Sequence, residues 1–231
     1  MDQITLDFRA SRGTIAPEIY GHFSEHIGGV MYDGIWTGDG FRRELVESFR
    51  RIAPPVLRWP GGCFAETYDW MDGIGPRDKR PERINWWYMH DGRTESNAMG
   101  THEFVEFCRL VGAAPYFAAN ITSVSPLHIR NWIEYCNAPE GRTTLSRLRG
   151  ENGDPEPLNV RYWGLGNEND WPNDFPEFDK EKIRAFMNEL NALSHELDPE
   201  RKTAIRRCSI LPTERAAWWP GTSTSTFKSS A

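Results

Sequence analysis

Leu158-Asn159-Val160-Arg161-Tyr162-Trp163-Gly164-Leu165-Gly166-Asn167-Glu168-Asn169-Asp170-Trp171-Pro172 is the stretch on which the reading of this chain turns. Val160, Tyr162 and Trp163 form a short aromatic and apolar run of the kind that makes a buried strand, and Gly164 and Gly166 break it. Glu168 follows at once. In a parallel sheet or barrel this places Asn167 and Glu168 at a strand's carboxyl end, where such folds put their reacting groups.

Working outward, the same alternation of strand and helix repeats. Residues 3 to 8 alternate apolar and polar, the period of a half-buried strand, and are assigned to a unit outside the barrel, residues 1–14. Pro17 to Phe23 reads as the first barrel strand, with Gly21-His22-Phe23-Ser24-Glu25-His26 as its loop. Phe41, Leu45, Val46, Phe49 and Ile52 recur at helical spacing until Pro54-Pro55 stop them. Val56-Leu57-Arg58-Trp59 is the second strand, broken at Pro60-Gly61-Gly62. A long aromatic connection, 63–100, then reads as a functional loop. Thr101 serves as an N-cap for a helix that Gly112 ends, Pro115 to Ala119 is the third strand, and Pro126 to Tyr135 is the next helix. The polar stretch 137–157 reads as a loop into the fourth strand. From Asp179 the spacing of Ile183, Phe186, Met187, Leu190, Leu193 and Leu197 predicts an amphipathic helix.

Four strand–helix repeats point to an α/β fold with a parallel sheet, either a barrel or a doubly wound sheet, and no G-x-G-x-x-G or P-loop marks a nucleotide fold; as a barrel of (β/α)8 TIM-barrel type, about the first four units are present over residues 15–202. Residues 203–231 break the pattern and are expected to form a divergent, disordered tail.

A net charge of −6 opposes a phosphate-neutralising surface, so nucleic acid and acidic membranes are excluded as partners. Ten Trp, seven Tyr and twelve Phe are more than a core of this size needs, and aromatic faces along an acidic cleft suit hydroxyl-rich ligands such as sugars. Cys63, Cys108, Cys136 and Cys208 show no C-x-x-C pair or metal spacing, which fits free thiols in a reducing compartment. The amino terminus has neither a basic n-region nor an apolar h-region, and no apolar run reaches about 18 residues; a cytoplasmic location is expected.

Retaining glycoside hydrolysis needs two carboxyl groups about 5 to 5.5 Å apart. Glu168 suits the acid/base role if Trp163 and Trp171 wall it and raise its pKa, and Asn167 could hold a sugar hydroxyl beside the anomeric carbon; an ordinary solvated turn is the competing reading. His22-Phe23-Ser24-Glu25-His26 also fits the zinc pattern H-x-x-E-H, but that needs a helix, and Gly21, Gly28 and Gly29 interrupt one, so a carboxylate and imidazoles lining a pocket is preferred and no metal is expected. Cys63 as a nucleophile would need a base and an oxyanion hole that nothing nearby suggests, whereas Cys108 and Cys136 sit on helix stripes and belong to the core. The loop aromatics Tyr68, Trp70, Trp86, Trp87 and Tyr88 read equally as a sugar platform or a secondary core.

Taken together, Gly21 through His26, Leu57-Arg58-Trp59-Pro60-Gly61-Gly62-Cys63-Phe64, Asp69-Trp70-Met71-Asp72-Gly73-Ile74-Gly75-Pro76-Arg77, Gly100-Thr101-His102-Glu103-Phe104, Trp132-Ile133-Glu134-Tyr135-Cys136-Asn137 and Trp163 through Asn169 resemble the family 51 glycoside hydrolases, the intracellular α-L-arabinofuranosidases, in order and spacing over residues 15–170. The resemblance implies a (β/α)8 barrel beside a β-sandwich, and retaining, cofactor-free removal of terminal arabinofuranose from arabinan or arabinoxylan oligosaccharides. It implies Glu168 as acid/base, with Glu25, Cys63 and Asn167 in the sugar pocket and Trp87 closing over it, and it implies homo-oligomers. After Asp170 the chain departs from the family. Residues 186–204 resemble the segment before the nucleophile strand, and that strand, with its Glu-Trp-Gly, is missing. A catalytically inactive sugar-binding remnant or a truncated product is therefore the alternative reading.

Overall fold

Leu57, Trp59, Phe117, Trp163 and Leu165 alternate with Arg58, Tyr116, Tyr162 and Gly164 along three adjacent parallel strands, and this alternation lays out the architecture. The computed structural model describes residues 9, 13–38, 40–86, 94–168, 188, 192 and 204–207. In chain order these hold β1 (His22–Phe23), β2 (Trp36–Thr37), β3 (Gly40–Phe41), α1 (Arg43–Ile52), β4 (Val56–Trp59), β5 (Arg83–Ile84), β6 (Thr94–Glu95), α2 (Thr101–Val111), β7 (Ala114–Ala119), α3 (Pro126–Asn137), α4 (Thr144–Glu151), β8 (Tyr162–Leu165) and β9 (Ala204–Arg207). β1, β4, β7, β8 and β9 make one parallel sheet in that order, and β2–β3 and β5–β6 are short antiparallel pairs.

The sheet is one-sided in its packing. Trp59, Phe117 and Trp163 face the helices and are fully buried against Phe104 of α2 and Trp132 of α3; Phe117 stacks on Trp132 at 4.6 Å between ring centroids. Phe107 of α2 meets Phe41 and Phe49 and so ties α1 to the same core. Burying an aromatic of this size contributes roughly 2–3 kcal/mol, so this seam dominates the stability of the described core. The opposite face carries Phe23, 59% exposed, with the Arg58 guanidinium over its ring, and Tyr116 beside Tyr162. In a barrel that face points inward. An α/β fold of (β/α)8 type is what these strands and helices form.

Several sequence expectations shift. Pro17–Tyr20 is a 3-10 turn, so the first strand shortens to His22–Phe23. Gly100, not Thr101, is the N-cap of α2: its N–H donates to the Glu103 carboxylate at 2.9 Å, and Thr101 is buried with its hydroxyl accepting from the Trp132 indole. Residues 137–157 are not a plain loop, because α4 begins at the Thr143 cap, where the Ser146 N–H donates to the Thr143 hydroxyl at 3.1 Å. β8 runs through Gly164, where an added Cβ would sit 2.7 Å from the Tyr116 hydroxyl; the glycine makes room across the sheet instead of ending the strand. Of the tail expected from 203, only 204–207 is described. Ala204–Arg207 pairs in parallel with Tyr162–Leu165 as a fifth strand. The remainder of 208–231, the amino-terminal strand over 3–8 and most of the amphipathic helix from Asp179 lie outside the described residues, although 188 and 192 are helical.

The long connection after β4 is anchored, not loose. Arg80, almost wholly buried, makes a bidentate pair with Glu103 at 2.9 and 3.0 Å and donates further to the carbonyls of Gly75, Asn97 and Ala98. Burial alone would raise the Glu103 carboxyl; the guanidinium and the Gly100 N–H offset this and hold it below the usual carboxylate range. The loop is thereby fixed to the start of α2.

Candidate active site

Every strand of the parallel sheet points its carboxyl end the same way, and the loops leaving β1, β4 and β8 meet there. β1 leads into Ser24 and Glu25, and the ladder to β4 continues past the strand, with Ser24 N–H on the Arg58 carbonyl at 2.9 Å and His26 N–H on the Pro60 carbonyl at 3.1 Å. The Glu25 carboxylate accepts the Phe64 N–H at 3.0 Å. A Cβ on Gly61 would lie 2.5 Å from Glu25 Cγ, and one on Gly62 would lie 3.4 Å from both Glu25 oxygens and from Asn167 Oδ1. Bare backbone is what lets these two side chains approach from opposite sides.

At β8, Gly166 donates to the Ala119 carbonyl at 2.8 Å with φ +70°, and Glu168 itself stands at φ +52°, a left-handed conformation that costs a non-glycine residue on the order of 1 kcal/mol. Arg58 Nη2 donates to Asn167 Oδ1 at 3.0 Å, Asn167 Nδ2 donates to Cys63 Sγ at 3.7 Å, and Cys63 Sγ donates to Glu168 Oε2 at 3.8 Å. Glu25, Cys63, Asn167 and Glu168 therefore stand together. Trp87 and Trp171 lie outside the described residues.

Other site expectations are corrected. Trp163 does not wall Glu168: it lies beneath the strand, its indole N–H on the Val160 carbonyl, and Glu168 is exposed. The imidazoles do not line the pocket either. His26 is buried, with Nδ1 2.7 Å from Glu95 Oε2 and Nε2 accepting from the Trp59 indole at 2.8 Å. An indole nitrogen can only donate, so the His26 proton is on Nδ1 and neither ring nitrogen is free for zinc. Its ring stacks on Phe64 at 4.7 Å and Glu95 also takes the Tyr32 hydroxyl, so this cluster supports the floor of the site. His22 points the other way, its ring edge against Phe49 of α1. No group of three metal-ligating side chains occurs among the described residues. Of the loop aromatics, Tyr68 and Trp70 are core, whereas Trp86 is 58% exposed.

The Cys63 thiol is half-buried, and burial followed by the Glu168 and Glu25 carboxylates pushes its pKa up. A nucleophilic cysteine needs the opposite shift, so Cys63 is a neutral donor in the pocket. Cys108 and Cys136 are buried in the core. Arg58 belongs to the Leu57–Phe64 motif, and strand alternation puts it on the inward face of β4. Glu66, whose carboxylate accepts the Asn167 N–H, had no sequence signal at all.

The chain matches the family model described as "Alpha-L-arabinofuranosidase 1 domain" over residues 48–203. It is 38% identical over 175 residues to an intracellular exo-alpha-L-arabinofuranosidase of Bacteroides ovatus, covering 71% of this chain and 33% of that protein. A probable alpha-L-arabinofuranosidase C of Aspergillus fumigatus is 38% identical over 210 residues, covering 87% of this chain and 41% of that one. Among solved structures, the alpha-L-arabinofuranosidase of Thermotoga maritima in an arabinose complex superposes with a TM-score of 0.72 at 37% identity, over 81% of this chain and 39% of that chain. The GH51 arabinofuranosidase of Xanthomonas axonopodis pv. citri gives 0.72 at 34% identity, over 80% and 38%.

Proposed function

The chain belongs to the alpha-L-arabinofuranosidase 1 domain family, and from that premise we propose that it forms the acid/base half of a retaining α-L-arabinofuranosidase site. The convergence of Glu25, Cys63, Asn167 and Glu168 at the carboxyl ends of three parallel strands carries this reading. Glu168, exposed on a strand-end turn, gives a proton to the departing glycosidic oxygen and later withdraws one from water. Asn167, oriented by Arg58, holds the hydroxyl next to the anomeric carbon. Glu25 accepts a sugar hydroxyl while the Phe64 N–H fixes its rotamer, and Cys63 donates. Trp87 closes over the sugar. The ligands are terminal arabinofuranosyl groups of arabinan or arabinoxylan oligosaccharides, and no metal or cofactor takes part.

Retention also needs a nucleophilic carboxylate across the sugar from Glu168. The chain spans 33% and 41% of the two curated relatives above, and no glutamate of its sequence after Glu168 is followed by Trp-Gly. The described fifth strand ends at Arg207, with no carboxylate before Glu214. The chain alone therefore binds the sugar without turning it over. Purified protein of verified mass, given an aryl α-L-arabinofuranoside, should release no aryl alcohol, while L-arabinose should slow alkylation of Cys63. Absence of that protection sinks the binding reading; turnover that Glu168→Gln abolishes would reveal a second carboxylate in the chain.

A further inference from the structure

Three strand-end loops converge on a side chain outside the four pocket residues. Glu66 lies in the 3-10 turn Cys63–Thr67 after β4. One of its carboxylate oxygens accepts the Asn167 N–H and the other accepts the Thr122 hydroxyl, while its carbonyl accepts from the Ser123 hydroxyl at 2.9 Å. Thr122 and Ser123 are themselves fixed, because Asn120 Oδ1, at the end of β7, takes both their N–H groups at 3.0 Å, and Asn120 Nδ2 donates to the Ser123 hydroxyl at 2.6 Å. Asn120 is buried. Glu66 thus joins the loops of β4, β7 and β8.

We propose that Glu66 is a positioning residue, which holds the Asn167–Glu168 turn against Cys63 by tying the Asn167 backbone to the loops after β4 and β7. The turn needs such a hold. Gly166 and Glu168 both stand at positive φ, and Glu168 has a side chain that disfavours it. Left to itself, the segment relaxes and swings the Glu168 carboxylate away. A glutamate suits the task because its two oxygens accept from two loops at once. The inference rests on the reading of Asn167 and Glu168 as sugar-facing groups, but its test needs no sugar.

Cys63 reports on the turn. Its thiol is raised first by burial, then by the Glu168 and Glu25 carboxylates facing it, so release of Glu168 lowers its pKa. The measurement is the pH dependence of Cys63 alkylation by iodoacetamide in the full chain, resolved from the other three cysteines by peptide mass spectrometry. Glu66→Ala should lower the midpoint by about half a pH unit, which is about threefold faster alkylation below it. Glu66→Gln, which keeps an acceptor for the Asn167 N–H, should restore the parent midpoint. Thr122→Val should shift it partway and covers the case in which Glu66→Ala fails to fold. Glu168→Gln is the reference for removal of the neighbouring charge. A midpoint unmoved in Glu66→Ala, or in Thr122→Val where the alanine variant does not fold, overturns the proposal, as does one unmoved in Glu168→Gln. Failure of L-arabinose to protect Cys63 in the parent chain leaves these shifts untouched and counts only against the sugar-binding reading.

Discussion

Gly61 and Gly62 show how much of the pocket is set by what is missing from a side chain. Both are buried, and Glu25 lies close enough to Gly61 that a single methyl must displace it. Gly61→Ala should therefore cost about 1–3 kcal/mol through overpacking and abolish arabinose protection of Cys63, with the far-ultraviolet circular dichroism unchanged. Retained protection would show that Glu25 yields without moving out of the pocket. The strand-end Asn167-Glu168 pair was legible from residue types, whereas a place for Cys63 beside it came only with the family resemblance. The tryptophan expected to wall Glu168 was misplaced for a simple reason. Alternation sends Trp163 to the opposite face from Tyr162 and Gly164, away from the pocket.

Elements were legible where apolar spacing spoke and illegible where a charge is buried. α4 went unread because Thr144–Glu151 holds few apolar residues, and its anchor is Arg149, which is fully buried. That guanidinium donates to the carbonyls of Tyr135 and Ala138 at the end of α3 and to those of Asp154 and Pro155 beyond α4, so it ties the two helices to the approach to β8. Periodicity does not count such a residue as core. Arg149→Met keeps an unbranched apolar stem but removes the guanidinium and leaves four carbonyls without a donor, a loss of at least about 3 kcal/mol. Urea unfolding of the two proteins measures it; a difference below about 1 kcal/mol would mean that water replaces the guanidinium at little cost.

Across the whole molecule, carboxylates held in ionised form set the acid limit. Glu103, Asp154 and Asp69 are each raised by burial and more than compensated by Arg80, by His102 with Arg109, and by His128 with the Met71 N–H, so all three titrate below their ordinary range. Groups with depressed folded pKa values stabilise the fold above the unfolded pKa and lose that contribution as pH falls through the folded one. The unfolding free energy should thus be flat near neutrality and fall from about pH 5 toward pH 2. Glu103→Gln should lower stability at pH 7 and reduce that slope. An unchanged slope would place the acid sensitivity elsewhere.

The strand order β1-β4-β7-β8-β9 repeats the order of synthesis. Each new strand finds its neighbour already made, and the aromatic seam from Trp59 to Trp163 is complete once residue 165 has left the ribosome. Among the described residues, nothing in that seam waits for a later one. A chain laid down this way can condense behind the ribosome unit by unit, each strand docking on the one translated before it.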